Sequence, residues 1–426
     1  MLLLALSACA SRPHTTGQQA GSSFTQNAKY HPSVLAAKER SEQAKSAETA
    51  ARADLLPQVS LNASASAYSY DNSPTTPRVG TANVGVNISV PISKAFAGIA
   101  GVEVASSSRK ASIEALRASN SDVLVRIATA VANVDRAQDT VAARGAHLSE
   151  LGKFLKEQNR RHTAGFASKT DLAQVKGRIA ASSAEYSRAL ANKSDAVSRL
   201  ASLLGHAPSS DLKLIDPRKY LPRSENEAVR YALKDNPSIR ELEWRRQVAS
   251  KQVNVSAMNI GPEVNLTANF NGDENYYSDD SLVSSNDAHI RLGLSVPLFD
   301  GGKRISNVKS KLSALRESQY EGEAGRRNIE AETRSNWYQL EAATSALSFA
   351  NDRLDAAKRA FAGVREARRI GAKTTQDELN AHSELTQALL AQSQAKYDIM
   401  VFGHQLLSNM GRVGWAYNLA EQSTKS

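Results

Sequence analysis

The spacing of hydrophobic and polar positions changes period several times along the chain. From Val34 to Leu55, alanine and leucine recur at helical spacing with charged residues between them. After Pro57 the period becomes two, and Val59, Leu61, Ala63, Ala65 and Ala67 alternate with Gln58, Ser60, Asn62, Ser64 and Ser66. A second run alternates Ala82, Val84, Val86, Ile88 and Val90 with Asn83, Gly85, Asn87 and Ser89. Later, Val264, Leu266, Ala268 and Phe270 do the same, followed by Ile290, Leu292, Leu294, Val296 and Leu298. Such alternation predicts four strands with one apolar and one wet face. From about Gly98 to Thr163, and again from Gly302 to Arg368, the chain reads as continuous helix. Each of these would extend about 100 Å at the rise of an α-helix. Leu124, Ile127, Val131 and Val134 form a stripe that Gln138 interrupts and Val141 resumes. Helices so long predict coiled-coil packing against one another. Returning helices are expected from near Thr170 to Leu204 and from Thr375 to Met410, with hairpin turns at Gly165 and Gly371.

The same landmarks occur twice. His31-Pro32-Ser33-Val34 matches Asn236-Pro237-Ser238-Ile239, and Leu56-Pro57-Gln58-Val59 matches Gly261-Pro262-Glu263-Val264, both 205 residues apart. Ser89-Val90-Pro91-Ile92 matches Ser295-Val296-Pro297-Leu298 at 206, as Gly165 and Asp171 match Gly371 and Asp377. Residues 92–207 and 298–426 contain no proline. This is an internal duplication; a solenoid would repeat every 20–50 residues or so.

Four strands are too few for a soluble sandwich. Strands of about 9–11 residues with small polar residues on the second face suit a membrane barrel with a wet lumen. Tyr68, Tyr70, Tyr276 and Tyr277 lie near the strand ends, as an interfacial belt or as ordinary loop residues. Residues 271–287 are polar and acidic and are expected to form an exposed loop. Four strands cannot close a barrel, and open edges are not tolerated in lipid, so several subunits must share one. Three would supply about twelve strands, an even number within the range of such barrels.

Composition agrees with helices packed through small residues: aromatic residues are 6% of the 426. The net charge of +10 raises anionic partners, yet acidic and basic residues alternate, as in Arg353-Leu354-Asp355. That pattern reads as solvated helix faces, and nucleic acid is not expected as a partner. The single cysteine, Cys9, excludes an intramolecular disulfide and ends Leu6-Ser7-Ala8-Cys9 after an apolar run. This resembles the bacterial lipobox, where cleavage precedes a lipidated cysteine. The run is short and no basic segment precedes it, so the true start is expected upstream. Ala10 follows the cysteine where an aspartate would retain a lipoprotein at the inner membrane, which points to the outer membrane.

The order of strand, loop, strand and Val296-Pro297-Leu298-Phe299-Asp300-Gly301-Gly302, a long helix, then Gly371-Ala372-Lys373-Thr374-Thr375-Gln376-Asp377-Glu378-Leu379 resembles the TolC family of outer-membrane efflux proteins. Gly165-Phe166-Ala167-Ser168-Lys169-Thr170-Asp171-Leu172 resembles the family's first-half signature, and the likeness runs from about His31 to Val413. It implies a homotrimer, mainly α with a membrane β-barrel, in which a twelve-stranded barrel continues into a helical tunnel through the periplasm. A periplasmic adaptor and an inner-membrane transporter would dock at the helical tips, for efflux or type I secretion. No cofactor is implied. The family's constriction residues fall on Asp377 and Asn380, and its gate-lock pair on Lys373 and Asp171. Asp377 could equally cap the returning helix, and Asn380 stands where the family often has an acid. A carboxylate ring at a tunnel end would favour cations.

The expected boundaries are a signal peptide at 1–8, a linker at 9–30, a first repeat at 31–208, an equatorial connector at 209–235, a second repeat at 236–412 and a tail at 413–426. Ser224-Glu225-Asn226-Glu227 resembles a capping box within the connector. The alternative is a lipid-anchored periplasmic coiled-coil protein without a pore, which leaves the strands unexplained. No phosphate-binding loop, paired metal-ligand spacing or nucleophile elbow is present, so an enzyme is not expected. His162 is the one histidine near a proposed site, and reads as a polar turn residue.

Overall fold

The computed structural model describes residues 24–68, 78–92, 94–208, 214–277 and 280–423; Cys9, Tyr70 and the expected signal peptide lie outside the described residues. In chain order the elements are α1 (Phe24–Tyr30), α2 (Pro32–Ala53), β1 (Gln58–Ala67), β2 (Arg78–Pro91), α3 (Lys94–Thr163) and α4 (Lys169–Leu204). After a short 3-10 turn at Pro217–Tyr220 come α5 (Glu225–Asp235), α6 (Pro237–Met258), β3 (Glu263–Tyr277), β4 (Leu282–Ser295), α7 (Lys303–Arg369), α8 (Thr375–Asn409) and α9 (Val413–Ser423). The duplication is visible in lengths: α2 and α6 have 22 residues each, α3 and α7 have 70 and 67, and α4 and α8 have 36 and 35. The second proline landmark starts α6 for a physical reason. Pro237 occupies the first helical position, where no backbone donor is needed, and the Asn236 side chain accepts from the N–H groups of Ser238 and Ile239.

The chain divides into two compact units, one of residues 36–119 and 230–331, the other of residues up to 35, 120–229 and 332 onward. The first unit holds one antiparallel sheet in the order β1-β2-β3-β4. Directly paired residues share a face, so the register tells what each face carries. Val59, Ile88, Ala268 and Ile290 form one row, and Leu61, Val86, Phe270 and Ala288 the next. These rows make one face apolar across all four strands. Its side chains are exposed on the outer strands, among them Leu61 at 70%, Ile290 at 75% and Leu292 at 66%, and partly exposed at Val86, Ile88 and Ala268. The opposite face carries Ser60, Asn87, Asn269 and His289 in one row, with Asn87 bonded to Asn269 and Asn269 to His289 at 3.3 Å. An apolar surface this continuous on a sheet is unstable in water and marks contact with lipid or partner.

The expected loop at 271–287 is a correction. Pairing of β3 with β4 continues from Asn271–Asp287 through Tyr276–Leu282, so most of the segment is strand. Asp273 and Asp287 fall on the polar face, where Asp273 accepts from the Asn83 side chain, while Glu274 falls on the other face near the strand end. β1 keeps the expected length at 10 residues, while β2, β3 and β4 exceed it at 14, 15 and 14.

The second unit is helical. The stripe Leu124, Ile127, Val131 and Val134 is 0%, 0%, 4% and 8% exposed, as a coiled-coil seam requires, and Gln138 faces solvent. The end of the expected linker forms α1 and the expected tail forms α9. Phe24 of α1 stacks on Tyr417 of α9 with ring centroids 4.7 Å apart. His404 of α8 donates from Nδ1 to the Met400 carbonyl at 2.6 Å, leaving Nε2 to accept from the Tyr417 hydroxyl at 2.8 Å. Burial pushes the Tyr417 phenol up and the His404 imidazole down, so both stay neutral. In the connector, Glu227 N–H reaches Ser224 Oγ, while the Glu227 carboxylate accepts from the backbone of Arg223 instead of that of Ser224. The expected capping box is therefore displaced by one residue. Pro217 packs on Gly403 so closely that a Cβ there would lie 2.4 Å from its ring.

Candidate functional site

The helical hairpins turn twice in the same way. At the end of α3, Phe166 N–H bonds to the Arg161 carbonyl and Gly165 N–H to that of His162. At the end of α7, Ala372 N–H bonds to Ala367 and Gly371 N–H to Arg368. Both patterns are Schellman closures, which need a left-handed residue, and Gly165 and Gly371 supply it at φ of 80° and 82°. His162 secures the first turn by donating from Nδ1 to the Ala167 carbonyl at 2.7 Å.

Three residues beyond each glycine stands the N-cap of the returning helix. Ser168 bonds to the Asp171 backbone N–H, and the Asp171 carboxylate accepts from the backbone and hydroxyl of Ser168 at 3.0 and 2.8 Å. Thr374 and Asp377 repeat this at 3.0 and 2.8 Å. Asp171 and Asp377 are thus structurally equivalent members of capping boxes. The backbone N–H of Thr374, then its hydroxyl and the ammonium of Lys373, hold the Asp377 carboxyl below the usual range. Asp171 is lowered by Ser168 in the same way, with Arg161 as its nearby cation. Within one chain the charge of Lys373 therefore acts on Asp377. Asn380 lies one turn into α8, and its Oδ1 accepts from Arg178 of α4 at 3.1 Å and from Gln376 at 2.8 Å.

Two further groups of side chains join the helices near these turns. Arg368, the last but one residue of α7, is 6% exposed. Its Nε donates to Glu378 of α8, its Nη2 donates to Glu157 of α3 at 2.9 Å, and the guanidinium lies 4.7 Å over Phe154. The pair is buried, and Phe154 joins it to the cluster of Leu151, Val175 and Leu379. It ties the two long helices to the start of α8, immediately beside Asp377. The second group is His147 of α3, His382 of α8 and Phe361 of α7, whose rings are in contact. Neither group was expected, although a signal existed. Leu354, Phe361 and Arg368 are spaced by seven, and His147, Leu151 and Phe154 by four and three. A charge or imidazole at a seam position points inward.

Known proteins resemble this chain in sequence and in fold. The profile described as outer membrane efflux protein matches residues 25–206 and 228–412. Outer membrane efflux protein BepC of Brucella suis is 26% identical over 345 residues, covering 81% of this chain and 75% of its own. Outer membrane protein TolC of Vibrio cholerae is 23% identical over 396 residues, covering 91% and 89%. The crystal structure of the Campylobacter jejuni CmeC outer membrane channel shares the fold with a TM-score of 0.79 at 19% identity, over 94% of this chain and 88% of that one.

Proposed function

This chain belongs to the outer membrane efflux protein family, and we propose that three copies of it close one barrel of twelve strands. It is an outer-membrane channel component of an efflux or secretion system of a Gram-negative bacterium. The observation that supports a shared barrel is the sheet: β1 and β4 are each paired on one side only among the described residues. Hydrocarbon offers an unpaired backbone no partner, so each edge must meet the edge of another copy. The exposed apolar face would then meet lipid and the asparagine-rich face the lumen.

In this assembly the two repeats, 31–208 and 236–412, each contribute one β-hairpin and one helical hairpin, with the connector at 209–235 between them. The helical hairpins wall a conduit, and their turns form its periplasmic end. A periplasmic adaptor and an inner-membrane transporter dock at those turns and supply the energy. The chain is a passive conduit without catalytic chemistry, and diacylated Cys9 anchors it in the membrane. Lys373 and Asp171 form a lock between the second and first hairpins. Asp377 and Asn380 form the constriction, where a carboxylate held below its usual range stays ionised through the periplasmic pH range and favours cations. Capping does not compete with this role, because an N-cap box uses the ionised carboxylate.

Single-channel recording in planar bilayers tests the reading. The purified protein is expected to conduct with a preference for cations, and Asp377→Ala to weaken that preference while Asp171→Ala leaves it. Unchanged selectivity in Asp377→Ala removes the constriction from Asp377. A lipid-anchored coiled-coil protein would give no conductance.

A further inference from the structure

The imidazoles of His147 and His382 come from α3 and α8 and meet with centroids 4.3 Å apart, tilted by 43°. Phe361 of α7 stacks on His382 at 4.9 Å. His147 is 9% exposed. The Thr386 hydroxyl lies 3.0 Å from the His382 carbonyl, to which it donates, and 3.1 Å from His147 Nδ1. With its one proton so placed, Thr386 accepts from His147, which must carry its proton on Nδ1. Nε2 of His147 is then a bare lone pair. Protonating it creates a buried cation beside a second imidazole.

At His147 the surrounding charges add to that cost. On α3, Arg144 faces His147 and Glu150 faces His382; on α4, Arg178 faces His147; on α7, Arg365 faces His382. Glu150 is shared with Lys153 and Arg365, and on α8 Glu378, four residues before His382, is bonded to Arg368. Arg144 and Arg178 thus oppose a positive charge on His147, whereas at His382 Glu150 favours it more than Arg365 opposes it, and burial carries the cost there.

We propose that the His147–His382 contact is an acid-released latch, which holds α3 against α8 near the hairpin turns while neutral and parts when either imidazole is protonated. The proposal rests on the reading of these helices as the wall of a conduit, whose periplasmic end then loosens in acid. Burial first, then His382 and the arginines, lowers His147 from 6.5 to about 4, and burial lowers His382 as well. A parted, hydrated imidazole would titrate near its ordinary value. The packed state binds fewer protons, so it keeps its full advantage above about pH 6.5 and loses it progressively towards about pH 4. At about pH 5 the balance should have moved toward the parted state by on the order of tenfold.

Planar-bilayer recordings with the turn-facing side taken from about pH 7.5 to about pH 5 read this directly. The open probability of the wild-type protein is expected to rise about tenfold. The double variant His147→Gln with His382→Gln should conduct like wild type at the higher pH and show no rise. A rise that persists in the double variant, or a conducting wild type with no rise, overturns the latch. Hydrogen exchange over residues 141–151 and 379–389 of the wild-type protein, corrected for intrinsic pH dependence, judges the latch without conduction. Protection there should fall over the same interval, and unchanged protection overturns the proposal. Lost protection in a protein that conducts at neither pH upholds the latch and overturns the conduit.

Discussion

Replacing Arg368 with methionine is expected to destabilise the helical unit by about 3–5 kcal/mol, because it leaves Glu378 charged, buried and unpaired. The pair sits at the junction of three helices. Arg368 and Glu378 are both under 10% exposed, and the same guanidinium also reaches Glu157 at 2.9 Å. Removing both charges together is a different perturbation. Arg368→Met with Glu378→Leu leaves no orphaned ion and fills the site with apolar volume, so it should recover most of the loss. Thermal unfolding of the purified protein, followed by circular dichroism, distinguishes the two. If Arg368→Met melts with wild type, the ion pair is not holding the turn. If the double variant melts as low as the single one, lost packing and not an unpaired charge is the cause.

The second large effect concerns the sheet. Leu292→Arg places a charge on the apolar face, where it costs about 2–4 kcal/mol per subunit near the middle of the membrane and three times that in a trimer. Such a protein is expected to miss the outer membrane and be degraded. The neighbouring odd-numbered positions of β4 provide the control. Ser285 lies on the polar face opposite Asp273, and Arg291 already occupies that face opposite Thr267. Ser285→Arg should therefore assemble normally. Membrane fractionation of both variants reads the result, and normal assembly of Leu292→Arg would mean that this face does not meet lipid.

These effects differ in how plainly the chain announces them. The apolar face follows from alternation alone, since a period of two sorts Leu61, Val86 and Leu292 from Asn62, Asn87 and Arg291 without knowledge of the pairing. The turns are equally local. Gly371, Thr374 and Asp377 lie within seven residues, so the Schellman closure and the capping box are written in adjacent sequence, and again at Gly165, Ser168 and Asp171. What stayed hidden depends on which helix lies against which. Arg368 sits at a seam spacing that turns it inward, but Glu378, across the turn, reads as a surface charge until the helices are packed. His147 and His382 are on different repeats, and a seam position shows that each points inward but not that they meet. Phe24 and Tyr417 lie at opposite ends of the chain, so their stacking had no local signal and α1 and α9 read as linker and tail. The segment 271–287 misleads for another reason. Acidic residues suggest a loop, but on the wet face of a sheet they bond to the neighbouring strand, as Asp273 does to Asn83.

Those same strands carry the central claim, that one chain is an incomplete channel. On the proposed reading, a sheet of four strands with an apolar face and two edges unpaired among the described residues would need other copies before it could sit in lipid. The most direct test is the mass of the detergent-solubilised native protein, measured with the bound detergent accounted for. A particle of three chains is the expected result, and a stable monomer that still conducts would contradict the shared barrel.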